Sequence, residues 1–234
     1  PEKIAIEKGI QIVICIDEFQ QISDFEDSKT FQKKLRSVWQ LQQHVSYCLF
    51  GSKKHLMNEL FEKKNLPFYK FGDAIYLAKI ETKYWIEYIC KRFENTGKHI
   101  SPELAEEICR LVDNHSSYVQ QLSWLLWIRT INTATTEQLS YALEDLLDQN
   151  NILFQSETEN LSAYQMNFLK AIVDGIHTKF SSKEVISKYN LGTSANIVRL
   201  KNALLQKELI ETNGKEIVLA DPVFEVWFKK EMLY

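Results

Sequence analysis

The feature that most constrains this chain is a short apolar run that ends in two adjacent carboxylates. Residues 12–16 read Ile-Val-Ile-Cys-Ile, and Asp17 and Glu18 follow directly. Such a β-branched run is typical of a parallel strand buried on both faces, and ligands of open α/β sheets bind at the carboxyl ends of strands. We therefore expect Asp17 and Glu18 where a ligand would bind. The alternative is a strand that ends in a solvated acidic loop.

Charge and cysteine spacing argue against several classes of protein. The 234 residues carry a formal net charge of −3, so the chain as a whole does not attract nucleic acid or an anionic membrane. No apolar run approaches the ~20 residues of a membrane span, and no signal peptide opens the chain. The four cysteines are far apart in sequence, which predicts reduced, buried thiols in a cytoplasmic protein rather than disulfides or a zinc site.

The first 80 residues alternate apolar runs with amphipathic segments. The predicted strands cover residues 11–17, 45–50 and 75–80, and helices are predicted near 29–43 and 54–63. Strands that alternate with helices favour a parallel sheet with right-handed crossovers.

The next segment, residues 81–155, has the pattern of an all-helical subdomain. Ser101-Pro102 and Thr135-x-x-Gln138 are helix-start signals, and the last helix is predicted to end near Asp148. Aromatic residues recur at helical spacing, and we interpret this stripe as core rather than as a ligand cage. Residues 150–160 are predicted to be a polar connection.

The C-terminal segment predicts a winged helix-turn-helix. Ser162-x-x-Gln165, Ser181-x-x-Glu184 and Thr193 or Ser194 mark three helix starts. Two short apolar runs then flank Asn213-Gly214, a strong hairpin-turn signal. Asp221-Pro222 begins a final helix.

The order of these parts resembles AAA+-related P-loop ATPases of archaea and bacteria, close to the STAND signal-transduction ATPases. The resemblance rests on residues 12–20, Leu49-Phe50-Gly51-Ser52, Phe71-Gly72, the segment 112–127 and the motif at 220–227. It implies a mixed, mostly helical fold. The implied parts are a truncated parallel α/β P-loop NTPase core (1–80), a helical lid (81–155) and a winged helix domain (156–234).

The resemblance also implies roles for individual residues. An apolar strand that ends in Asp-Glu is the Walker B pattern, so Asp17 would bind Mg²⁺ with ATP, usually through water, and Glu18 would act on the attacking water. Gln20 would hold these two carboxylates in position without contacting the ligand itself. Ser52 would occupy the polar sensor 1 position, where its hydroxyl contacts the γ-phosphate or the water; the alternative is a turn residue or helix cap. His115, in the lid turn, would face a nucleotide or simply form the turn.

One departure from the family is large. No G-x-x-x-x-G-K-[ST] motif occurs in the sequence, although this motif supplies the amides and lysine that hold the phosphates. We therefore expect this chain to be the C-terminal part of an ATP-hydrolysing switch, without its Walker A part. The alternative is a non-enzymatic DNA-binding or protein-interaction module on an α/β scaffold.

The sequence leaves two alternatives for the partner of the winged helix, DNA and protein. Contact with DNA would use Arg199, Lys201, Lys207 and Lys215, on the third helix and the wing. Residues 156–234 hold 10 Lys/Arg and 10 Asp/Glu, and this zero net charge favours protein contacts. Unpaired sheet edges at the truncation predict a protein partner or self-association there.

The missing phosphate cradle generates the first prediction. The isolated 234-residue chain should neither bind Mg-ATP tightly nor hydrolyse it, because few groups remain to hold the phosphates. Titration calorimetry with Mg-ATP measures this directly, and a micromolar dissociation constant would contradict the prediction.

Overall fold

The structure is a computed structural model that describes residues 1–232, apart from the side chain of Lys54. The described chain is mostly helical, and it divides into two compact units, residues 1–77 and residues 78 onward. The winged helix domain predicted at residues 156–234 therefore includes two residues, 233 and 234, that lie outside the described chain.

The first unit is a small α/β layer. Its elements are α1 (Glu2–Lys8), β1 (Ile12–Ile16), a 3-10 helix (Phe19–Asp24), α2 (Ser28–Trp39), β2 (Val45–Leu49) and α3 (Lys54–Glu62). The two strands pair in parallel, from Ile12 opposite Val45 to Ile16 opposite Leu49. A mainly aromatic core built on Phe19, Ile22, Leu60 and Phe68 packs with the inner face of this sheet. The parallel α/β region predicted from the sequence is therefore present, as a sheet of two strands.

The strand predicted at residues 75–80 is absent. Between α3 and the next helix, residues 73–80 form neither helix nor strand, and Leu77 is 94% exposed. A strand needs a neighbour for its backbone hydrogen bonds, and among the described residues the sheet contains only β1 and β2.

The expectation of a strand buried on both faces is also wrong. Exposure alternates along β1, and Val13 is 66% exposed because described residues cover only one face of the sheet. Cys15 and Cys48 lie opposite each other on the open face, and both are exposed. The prediction of buried thiols therefore fails for these two cysteines.

The second unit is helical up to its hairpin. Its elements are α4 (Thr82–Glu94), α5 (Pro102–Leu111), α6 (Ser116–Arg129), α7 (Thr136–Glu159), α8 (Ala163–Val173), α9 (Lys183–Tyr189), α10 (Ser194–Gln206), β3 (Ile210–Asn213), β4 (Glu216–Leu219) and α11 (Pro222–Met232). The helix starts predicted at Ser101, Thr135 and Ser162 are confirmed, each with its side-chain cap. Helix α9 begins after Ser182, one residue later than predicted.

Helix α7 extends through the predicted polar connection. Residues 150–159 are helical, and Phe154 is buried against the rings of Phe224 and Trp227 in α11. The burial of this aromatic side chain outweighs the low helix propensity of its polar neighbours.

The predicted winged helix is confirmed. Helices α8 to α10 precede an antiparallel hairpin of β3 and β4, and Gly214 in its turn has a φ of 63°, a conformation that glycine adopts readily. One continuous hydrophobic core runs from Trp85 in α4 to Phe228 in α11. Helices α4 to α7 and the winged helix therefore share one core.

The aromatic stripe is only partly core. Trp85, Phe93 and Tyr118 are buried, as predicted, but Tyr88 and Trp124 are exposed. These two side chains lie on surfaces of α4 and α6 that face away from the shared core.

Thiol labelling tests this fold. At about pH 8, Cys15 and Cys48 should react rapidly with a disulfide reagent such as DTNB, because both are exposed. Cys109 should react only after unfolding, since burial raises the pKa of its thiol to about 11. The Cys15→Ser, Cys48→Ser double variant should lose the rapid phase. Rapid labelling of Cys109 in the native chain would contradict the fold.

Candidate functional site

The candidate site lies where the carboxyl ends of β1 and β2 meet. The Phe50 N–H donates to the Ile16 carbonyl (3.1 Å), and the Phe19 N–H donates to the Phe50 carbonyl (3.0 Å). These two hydrogen bonds extend the parallel pairing past the strand ends. Asp17 and Glu18, which follow β1, are thereby brought beside Ser52, which follows β2.

Glu18 adopts an uncommon backbone conformation. Its φ of 48° and ψ of 41° are left-handed, and its N–H donates to Asp17 Oδ1 at 2.8 Å. Such a conformation costs a non-glycine residue about 1–3 kcal/mol and is concentrated at functional sites. Here it sends the chain into the 3-10 helix and leaves Asp17 exposed, beside the half-buried Glu18.

The Glu18 carboxylate is held by two side chains. Ser52 Oγ lies 2.9 Å from Oε1 and 3.1 Å from Oε2, and Gln20 Nε2 donates to Oε2. The hydrogen bonds from Gln20 and then from Ser52 hold the pKa of Glu18 below its usual range. Glu18 is therefore a carboxylate at neutral pH, and the Ser52 hydroxyl is committed to it in this structure.

The side chain of Gln20 packs closely against Gly51, next to the Glu18 carboxylate. Gln20 is buried, and its Oε1 has no hydrogen-bond partner within the described chain. A Cβ on Gly51 would lie 1.9 Å from that oxygen, so any side chain here would displace Gln20. The glycine before Ser52 is needed for this close approach. Gln20, expected behind the acidic pair, contacts Glu18 directly.

The donor set suits a hard cation that keeps most of its water. Asp17 and Glu18 offer carboxylate oxygens and Ser52 a hydroxyl, which are the ligand types that Mg²⁺ prefers. Among the described residues, no group of three or more His, Cys, Asp or Glu side chains could enclose a metal. A Mg²⁺ ion bound at Asp17 would therefore take its other ligands from water and phosphate, and the residues present fit that arrangement.

The cationic residues of the winged helix do not share one face. Arg199 is exposed on α10, whereas Lys201 is half-buried two positions further on. Residues two apart on a helix do not face the same way. Lys207 caps the end of α10 and Lys215 is exposed at the wing, where Glu211 and Glu216 are exposed as well.

A contact that the sequence did not predict joins α6 to the start of α11. The Tyr118 hydroxyl in α6 donates to Asp221 Oδ2 at 2.5 Å, and Asp221 Oδ1 accepts from the Val223 and Phe224 N–H groups at 2.7 and 2.9 Å. Asp221 is thus both the cap of α11 and an anchor for α6. His115, which precedes α6, packs its ring 4.7 Å from that of Tyr118.

The comparisons with known proteins agree with this fold. A family model described as a probable winged helix domain matches residues 152–230. The Walker-type ATPase of Pyrococcus abyssi has a similar structure, with a TM-score of 0.73 and 17% identity; the match covers 97% of this chain and 65% of that one. No curated protein sequence matches this chain significantly. The chain therefore has an AAA+ ATPase-like fold with a C-terminal winged helix domain.

Two more distant structures are also similar. RuvB, the Holliday junction branch migration motor of Thermotoga maritima, has a TM-score of 0.47 and 14% identity. The match covers 99% of this chain and 73% of the RuvB chain. Orc1 of Aeropyrum pernix, solved in complex with DNA, has a TM-score of 0.46 and 11% identity, with coverage of 97% and 66%. Within the described chain, no helix is long and apolar enough to cross a membrane.

The Tyr118–Asp221 contact generates a stability prediction. Tyr118→Phe should lower the free energy of unfolding by about 1.5–3 kcal/mol, the usual range for a hydrogen bond to a charged group. Tyr141→Phe, at an exposed tyrosine of α7, is the control and should change little. Urea denaturation followed by circular dichroism measures both, and equal effects would contradict the anchoring role.

Proposed function

We propose that this chain carries the Walker B strand, the lid and the winged helix of a nucleotide-hydrolysing switch. The observation that carries the proposal is the hydrogen-bonded cluster of Glu18, Ser52 and Gln20 at the carboxyl ends of two parallel strands. A solvated acidic loop would not need a buried glutamine and a neighbouring strand to fix its carboxylate.

Each residue has a stated role in this proposal. Asp17 would hold Mg²⁺ through water, and that ion would neutralise charge on the ATP phosphates. Glu18 accepts a hydrogen bond from the attacking water and orients it. Because Gln20 and, to a lesser extent, Ser52 lower the pKa of Glu18, its carboxylate acts by orientation and polarisation more than by storing a proton. Ser52 and Gln20 are positioning residues.

The phosphate-binding amides and lysine come, in this proposal, from outside these 234 residues. The chain contains no P-loop motif, and it spans 65% of the Pyrococcus ATPase that it resembles. The division into a core at 1–80, a lid at 81–155 and a winged helix domain at 156–234 belongs to the same proposal.

The winged helix is the output module. The shared core and the Tyr118–Asp221 hydrogen bond support a coupling in which lid and winged helix move as one body. The scattered cations Arg199, Lys201, Lys207 and Lys215, with carboxylates at the wing, favour protein contacts over DNA. A non-enzymatic DNA-binding or protein-interaction module remains the second candidate, favoured by the open face of the two-stranded sheet.

The test uses the natural full-length polypeptide. Glu18→Gln should retain Mg-ATP binding and lose about 10²- to 10⁴-fold in turnover, because the amide orients water poorly. Ser52→Ala should reduce turnover less, since Gln20 still holds the carboxylate. Glu26→Gln, at an exposed carboxylate of the same unit, is the control.

Calorimetry and a phosphate-release assay measure binding and turnover separately. Absence of Mg-ATP binding by the full-length polypeptide would favour the non-enzymatic candidate. Normal turnover in Glu18→Gln would remove Glu18 from the mechanism.

A further inference from the structure

Helices α4 and α6 leave an open groove of about 500 Å³ on the second unit. The residues that line this α4–α6 groove include Tyr88, Arg92, Thr96, Ser123, Trp124 and Trp127. Trp124 is 56% exposed, and the Ser123 hydroxyl is buried without a hydrogen-bond partner in the described chain. An exposed indole beside an unsatisfied hydroxyl indicates a surface suited to an occupant.

The described residues that line the groove include a cation but no carboxylate. The Arg92 guanidinium lies 5.2 Å from the ring centroid of Tyr88, and Lys98 Nζ lies 3.9 Å from that of Trp127. None of the described residues that line the groove is Asp or Glu, and α6 contains neither. Aromatic residues and arginine without carboxylates are typical of the centre of a protein interface. The groove therefore fits an apolar segment flanked by carboxylates.

Helix α7 presents such a segment on its outer face. Asp148, Ile152 and Glu159 are exposed and recur at helical spacing, and we call them the α7 ridge. Ile152 is 82% exposed, and its neighbour Leu153 is exposed as well. The opposite face of the helix is anchored in the core by Phe154 and Thr158. The ridge is therefore a rigid apolar surface with a carboxylate on each side.

We propose that the α4–α6 groove binds the α7 ridge of a second copy of this chain. Charge complementarity carries this choice: Arg92 lies in the groove and Lys98 lies over the ring of Trp127 at its side, and the ridge supplies Asp148 and Glu159. The acidic balance of residues 81–155, with 6 Lys/Arg and 11 Asp/Glu, disfavours nucleic acid as the occupant. The contact is independent of the nucleotide chemistry proposed above.

The geometry of this contact predicts its stoichiometry. Groove and ridge share no residues, so the contact is heterologous, and each copy that uses one surface still offers the other. Wild-type chains should therefore grow beyond dimers as concentration rises. Association through unpaired strands of the first unit would not depend on either surface.

Two variants separate the surfaces. The groove variant combines Arg92→Glu with Trp124→Ala, and the ridge variant is Ile152→Lys; all three residues are exposed, so folding should be retained. Ile131→Lys, at an isoleucine that is also 82% exposed and lies between α6 and α7, is the matched control. Circular dichroism checks the fold of each variant, and sedimentation velocity over a concentration range of about 100-fold measures association.

The expected result has three parts. Wild type and Ile131→Lys self-associate, and the groove and ridge variants each sediment as monomers of 27.5 kDa. An equimolar mixture of the two variants forms a dimer and nothing larger, because only one intact groove faces one intact ridge. A monomeric wild type overturns the proposal and leaves the groove to another occupant. A variant that associates as strongly as wild type, or a mixture that associates no more than the variants alone, overturns it as well.

Discussion

The in-register parallel pairing of β1 with β2 is the interaction on which the candidate site depends. Glu18 and Ser52 are 34 residues apart in sequence, and only this pairing brings the hydroxyl within 2.9 Å of the carboxylate. The pairing also places Gly51 against the buried Gln20, whose amide supplies the second hydrogen bond to Glu18. A shift of one residue would exchange the faces of the strand and separate these groups.

The second unit depends on a different constraint, the burial of one continuous core. Helices α4 to α6 and the winged helix do not have separate interiors, since α7 continues from the first into the second and buries Phe154 against α11. The Tyr118–Asp221 hydrogen bond adds a polar contact on this shared core. Because closely packed interiors transmit displacement, a displacement of α6 would also move α11.

Local patterns in the sequence predicted much of this fold. The helix starts at Ser101, Thr135 and Ser162 were predictable because a capping side chain bonds backbone only three residues away. The hairpin at Asn213-Gly214 was predictable because its turn depends on local conformation. The apolar run before Asp17 also predicted a parallel strand correctly. The roles of Asp17, Glu18 and Ser52 stay predictions, and the sequence did not predict the hydrogen bonds that join these residues.

The sequence by itself determined most helix starts and the hairpin turn, since these depend on contacts within a few residues. Tertiary structure decided what each apolar segment packs against. Residues 75–80 have strand-like composition but no neighbouring strand, and they remain irregular. Cys15 and Trp124 have apolar surroundings in sequence and yet are exposed, because burial depends on which distant surfaces cover a residue. The bonds of Ser52 to Glu18 and of Tyr118 to Asp221 likewise exist only once distant elements have packed.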